Sequence, residues 1–458
     1  MVFSSLVFLC LFLPLFLIVY FALPKLRTVT LVVFSLAFYA FGEPVWVFAL
    51  LLSGTMDYVL ARVMGKYAGL WQRKAALAVS LTVNIGLLFV VKYSGFVVSN
   101  ANALFGSAFT VPGFALPLGI SFYTFSKISY AVDVYKGKVV PQRSFLVFMS
   151  YITMFPMLIS GPIIRYTDIE ERLTGRRVTL EDFSRGITKF AIGLGKKVLL
   201  ASAAGTAVDT LFASGAKLTV AGSWLGILFY AFQLYFDFSG YSDMAIGLGR
   251  MMGFELRENF NYPYIARSVG DFWRRWHMSL SSFFRDYVYI PLGGNRRHQL
   301  LNIMIVWFLT GFWHGASWNF ILWGMFYGVL LLMEKLFVKK ALERIPRVFG
   351  HIYAIFAILI GRGLFYFTSG PELLAFFKAA FGIGVKFTDI RVTSVLQTNV
   401  WLLPVLIIGC TPLPAMIAKK IRGSRAGILE PLYMAAMMGF SFVTLVGQTH
   451  SPFLYFKF

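Results

Sequence analysis

The chain has 458 residues, of which 58% are hydrophobic, 18% aromatic and only 14% charged, with a formal net charge of +22. Soluble globular chains are about a quarter charged, so the composition excludes that class. Apolar runs of bilayer length recur from end to end without polar alternation, which points to an all-α polytopic membrane protein and away from a transmembrane β-barrel.

The basic excess fits the cytoplasmic-loop bias for Lys and Arg, with an anionic ligand or acidic lipid headgroups as a second contribution. Because these residues are spread between apolar spans, nucleic acid is not an expected partner. Cys10 and Cys410 both lie in apolar runs, without ligand spacing, and read as packing residues.

Val2 to Leu23 lacks a basic leader and a clear cleavage site, so it reads as a retained first span. Lys25 and Arg27 follow it and place the N-terminus outside. A hairpin comes next, with arms Thr28 to Ala40 and Val45 to Met64 around Phe41-Gly-Glu-Pro44. Ala75 to Val91 is a span, and Lys92 to Phe114 an outer loop with some helix. Pro117 and Gly119 in Leu116-Pro-Leu-Gly-Ile-Ser-Phe-Tyr-Thr-Phe125 predict a broken helix.

Phe145 to Ile164 is apolar, contains Pro156, Gly161 and Pro162, and carries basic flanks on both sides. It is expected to dip into the membrane and return, against protein or a wet cavity. Thr179 to Lys197 is basic and reads as cytoplasmic, with spans at Val198 to Phe212 and Trp224 to Leu248. The second span holds Asp237 and Asp243. Carboxylates at that depth need a partner or a function, and a structural bond to a neighbouring helix or loop arginine is the favoured reading. Lys335 to Arg347 marks an inner loop. Ile352 to Phe367, Val400 to Ala418 and Ile428 to Val446 complete about eleven or twelve membrane segments.

The stretch from Arg250 to Trp323 concentrates the polar chemistry. Ser268-Val-Gly-Asp271 resembles a capping box. From there Trp273, Trp276, His277, Leu280, Phe283, Phe284 and Tyr287 recur at helical spacing, with Arg274, Arg275, Ser279, Ser282, Arg285 and Asp286 opposite. An interfacial helix with its arginines on the phosphates of membrane lipids accounts for this pattern. It leaves His277, on the apolar face, open between packing and function.

Pro291-Leu-Gly-Gly-Asn-Arg-Arg297 is a turn. Its glycines and arginines, together with Asn295 and Arg296, have the makings of a phosphate cradle or of a plain loop. Leu300 to Leu332 is flanked by basic residues and reads as one long span or two short segments. It holds His314 between Trp313 and Gly315. Burial favours neutral imidazole, which a general base must be. Gly311 and Gly315 leave room for a ligand or a neighbouring helix. A packed histidine and a functional one are both open here. His298, His351 and His450 lie near predicted loops or span ends. No hydrolase elbow and no metal-ligand spacing is present.

These motifs resemble the membrane-bound O-acyltransferase family, in its bacterial polysaccharide-acetylating branch. The resemblance rests on residues 116–125, Gly161-Pro-Ile-Ile-Arg165, Tyr235-Phe-Asp-Phe-Ser-Gly-Tyr-Ser-Asp-Met244, Phe272-Trp-Arg-Arg-Trp-His277, residues 284–296 and Trp313-His-Gly315. It implies one transmembrane domain over 1–458 with a catalytic core at about 116–334, and a ring of helices around a central funnel.

The resemblance further implies His314 as catalytic base and His277 in support. Trp313, Arg274, Arg275, Arg285, Asn295 and Arg296 become candidate donor-binding residues. The implied donor is cytoplasmic acetyl-coenzyme A, with no resident cofactor. The implied partner is an O-acetyltransferase on the outer side of a bacterial inner membrane, serving a cell-envelope polysaccharide. A transporter or channel, or a scaffold for a partner transferase, is the competing class.

Overall fold

The computed structural model describes residues 1–67, 69 and 71–447, the stretch 421–430 by its backbone alone. Among these residues every regular element is helical. The chain runs through α1 (Leu13–Ala22), α2 (Arg27–Gly42), α3 (Trp46–Lys66), α4 (Trp71–Phe105), α5 (Ile120–Tyr135), α6 (Phe145–Thr153), α7 (Phe155–Leu158) and α8 (Tyr166–Thr174). It continues through α9 (Leu180–Gly195), α10 (Ser202–Leu211), α11 (Val220–Met251), α12 (Val269–Trp273), α13 (Met278–Phe284), α14 (Gln299–His314) and α15 (Trp318–Met333). The last helices are α16 (Lys339–Arg344), α17 (Arg347–Tyr366), α18 (Gly370–Ala380), α19 (Ile390–Thr398), α20 (Leu402–Gly409) and α21 (Leu413–Gly447).

Six described helices are long and apolar enough to cross a membrane, or seven if α19 and α20, bent by 68°, count as one broken span. The protein is therefore an all-α, multi-pass membrane protein. Its residues group into two compact units, Met1–Phe190 with Ser242–Arg257, and Ala191–Tyr241 with Glu258–Phe458.

In the first unit the predicted irregular segment is two short helices broken at Met154. The break frees the amide of Phe155, which donates to Ser35 Oγ at 3.1 Å. The Phe155 ring is caged by Phe3, Phe8, Phe12, Phe16 and Phe38 at 5.1 to 6.3 Å. Non-helical backbone is thus surrounded by protein, the condition for tolerating it away from water. Gly119 opens α5 at φ 75, and a Cβ there would lie 2.1 Å from the Leu158 carbonyl oxygen, so only glycine fits the turn.

Between α3, α4 and α5 lies a buried polar knot that the sequence reading passed over. Asp57 accepts from Ser80 Oγ at 2.5 Å and from Asn84 Nδ2 at 3.0 and 2.8 Å. Lys127 Nζ stands 3.9 Å from Asp57 and donates to Ser53 Oγ at 2.7 Å. Both charged side chains are shut off from solvent.

Several boundaries differ from expectation. Residues 92–105, read as loop with some helix, continue α4 without a break. Their polar side chains bond back into the helix, Ser94 to Val90 O and Asn100 to Phe96 O. Residues 180–197, read as cytoplasmic, belong to one apolar helical run from Leu180 to Leu211. Two of its lysines face carboxylates: Lys189 pairs with Asp243 at 3.0 Å, and Lys197 pairs with Asp237. Residues 339–344, read as inner loop, are helical as α16. Residues 400–418 are not one span, because the chain breaks at Cys410–Pro412 between α20 and α21.

Candidate active site

The helix predicted from Ser268 onward forms only in pieces, and the break creates the site. Ser268 caps α12 by accepting from Asp271 N at 3.0 Å. Glu334 takes two more of its free amides, those of Val269 and Gly270. After Trp273 the helix stops, and α13 starts only at Met278.

Between them His277 adopts a left-handed conformation, φ 46 and ψ 53, which is uncommon for a residue with a Cβ. Backbone bonds to an upstream segment impose it. Asn261 N donates to Arg275 O at 2.9 Å, and Met278 N donates to Asn259 O at 3.0 Å. The bend turns the His277 ring inward, where it is 1% exposed and edge-on to Phe238 at 4.8 Å. Burial pushes this imidazole down to about 3, so it is neutral.

His314 arrives from a different element, as the last residue of α14. Residues 299–333 are two helices, α14 and α15, turning at Gly315–Ser317. Gly311 makes room for the neighbouring helix: a Cβ there would meet Phe320 O at 2.3 Å and Gly324 Cα at 3.1 Å. Because those atoms are backbone, Gly311→Val should split the hairpin. The expected result is loss of the monodisperse peak in detergent size-exclusion, with at least the ~1–3 kcal/mol of ordinary overpacking. A variant that elutes and melts like the parent would contradict this packing.

The His314 ring is edge-on to Trp323 at 4.9 Å and to Phe365 at 5.3 Å, and is 6% exposed. His277 and His314 line one cavity of about 370 Å³. Its wall includes Trp273, Trp307, Thr310 and the candidates Arg274 and Arg285. Trp313 lies outside the wall but between the histidines, 6.2 Å from the His277 ring and 4.9 Å from that of His314.

The remaining candidates are not at the cavity. Arg275 bonds Asp271 at 3.0 Å and Asn261 O at 3.3 Å. Asn295 Oδ1 accepts from Tyr289 at 2.7 Å and from Gln299, which closes the 291–297 turn on itself. Arg296 is exposed on that turn. Asp237 and Asp243 serve the lysine pairs of the α9–α10 run. His351 bonds Ala266 O at 3.1 Å, His298 precedes α14, and His450 lies outside the described residues.

Two neighbours went unread in the sequence. Nothing in the spacing of Asn259 reveals that it faces His277. Arg362 of α17 is 2% exposed and lies over the Trp276 ring at 4.2 Å, bracing the residue next to His277. A lone arginine in an apolar run was its signal.

Comparisons with known proteins identify the family. The profile of MBOAT, the membrane-bound O-acyltransferase family, matches residues 140–369, which include both histidines. A protein named as a probable alginate O-acetylase in Azotobacter vinelandii is 35% identical, with all of each chain aligned. A peptidoglycan O-acetyltransferase of Helicobacter pylori is 34% identical over 73% of this chain and 70% of its own. A teichoic acid D-alanyltransferase of Bacillus subtilis is 32% identical over 48% of this chain and 60% of its own. Full-length similarity, the family match and two buried histidines on one cavity lead to one conclusion: the chain belongs to the membrane-bound O-acyltransferase family.

Proposed function

We propose that this O-acyltransferase moves acetyl groups from cytoplasmic acetyl-coenzyme A to serve O-acetylation of a cell-envelope polysaccharide. The observation that carries the reading is a single cavity holding His277 and His314. The relatives that align along most of this chain bear acetylase names. Arg274 and Arg285 on the wall suit the phosphates of the donor.

In this reading His314 takes the proton of the acceptor hydroxyl as its oxygen attacks the thioester carbon. The C–S bond breaks, the ester forms, and the imidazolium returns the proton to the departing thiolate. His277 supports that exchange from the same cavity. The chain would sit in a bacterial inner membrane with its N-terminus outside, beside a partner transferase on that face that completes transfer to the polymer.

Purified protein in liposomes, given labelled acetyl-coenzyme A and a soluble polysaccharide acceptor with its partner, should release free thiol in step with ester formation. Absence of thiol release, with transfer from a D-alanyl donor instead, would reject the acetyl reading. Passage of intact substrate without thiol release would favour a transporter.

A further inference from the structure

His277 and its surroundings fix more than a ring position; they fix where its proton is. The amide of Ser279 can only donate, and it points at Asn259 Oδ1 at 3.2 Å. The atom facing it must therefore be the carboxamide oxygen and not the NH2 group. That same oxygen also accepts from Ser279 Oγ at 2.9 Å and lies 3.2 Å from His277 Nδ1. Having no proton of its own to give, the oxygen can bond Nδ1 only if Nδ1 carries the hydrogen; Ser279 Oγ stands farther from Nδ1, at 3.5 Å, than from that oxygen, to which its hydroxyl donates. The opposite nitrogen, Nε2, then bears the lone pair. It is buried and has no hydrogen-bond partner among the described residues.

The arrangement is over-determined. Asn259 is itself 1% exposed, and its backbone oxygen accepts from Met278 N. One residue thus holds both the left-handed turn at His277 and the tautomer of its ring. Backbone strain of this kind persists where surroundings enforce it and marks functional sites.

We propose that Asn259 is a positioning residue of the active site, which locks His277 as the Nδ1–H tautomer so that its bare Nε2 accepts a hydrogen bond from the reacting hydroxyl. This rests on the reading of the shared cavity as the place of acyl transfer. It gives His277 a defined part: Nε2 orients the acceptor oxygen while His314 removes its proton.

The test is ¹⁵N spectroscopy of protein labelled at its five histidines, with the His277 signal assigned by its loss in His277→Gln. The parent protein should show a protonated Nδ1 and an unprotonated Nε2. Asn259→Asp keeps the acceptor and should keep the tautomer and most of the turnover. Asn259→Ala should yield a tautomer mixture and lower kcat on the order of 10- to 100-fold, by analogy with loss of the orienting partner of a metal-bound histidine, with a smaller change in KM.

A protonated Nε2 in the parent protein would overturn the proposal. So would Asn259→Ala with tautomer and turnover unchanged. If Asn259→Ala does not fold, the parent and Asn259→Asp spectra still decide. A locked tautomer in a protein that transfers no acetyl group would leave the clamp standing and sink the catalytic reading alone.

Discussion

His314→Ala should lower acetyl transfer by roughly 10²- to 10⁴-fold, the range that a positioned general base contributes. The geometry separates this loss from unfolding. His314 ends α14, so its replacement disturbs no helical turn beyond it. Truncating its ring against Trp323 and Phe365 costs packing. That cost lowers the amount of folded protein, whereas the chemical loss persists per folded molecule. His314→Gln sharpens the comparison, because it fills much of the same space and hydrogen-bonds but takes no proton at neutral pH. Both variants should stay expressed and monodisperse while thiol release from acetyl-coenzyme A collapses. Undiminished turnover in either would remove His314 from the role of base.

The largest expected effect on stability lies far from the cavity residues in sequence. Asp57→Ala removes the carboxylate that faces Lys127 and satisfies Ser80 and Asn84. Breaking a buried pair by removing one partner costs about 3–5 kcal/mol, because the remaining charge keeps its desolvation penalty. Replacing both partners with apolar residues of similar size is far milder and is often neutral. Asp57→Ala should therefore lower the melting temperature in detergent steeply, and Asp57→Leu with Lys127→Met should recover most of it. Equal losses in the single and double variants would mean that shape, and not charge, holds α3 to α5 at this point.

Much of the architecture was legible because the bilayer imposes a coarse rule. The all-helical class follows from composition and run length alone, and basic flanks around the overlong 300–332 run left two segments open, the alternative that the turn at 315–317 bears out. Met154 and Gly119 stand where Pro and Gly signalled irregular backbone. The site was legible as far as its two histidines, since imidazole in an apolar run stands out.

What was not legible depends on contacts between distant segments. Helical periodicity across 268–287 is genuine in the sequence, yet two bonds from residues 259 and 261 override it. Lys189 and Lys197 look cytoplasmic one residue at a time. They become admissible inside a helical run only once Asp243 and Asp237 face them. Asn259 and Arg362 are ordinary residues whose importance comes from what they touch.

The two arginines on the cavity wall carry a consequence for ligand exchange. Arg285 is already clasped by Asp286 through two bonds of 2.6 and 3.1 Å, and Arg274 leans on Asp271 at 3.6 Å. If the proposed donor binds here, its phosphates would compete with these carboxylates for the two guanidinium groups. Such competition would gain less than capture by a bare cation, with the acids positioned to reclaim their arginines. On the proposed reading, a gateway built this way would favour departure of the spent carrier over tight retention.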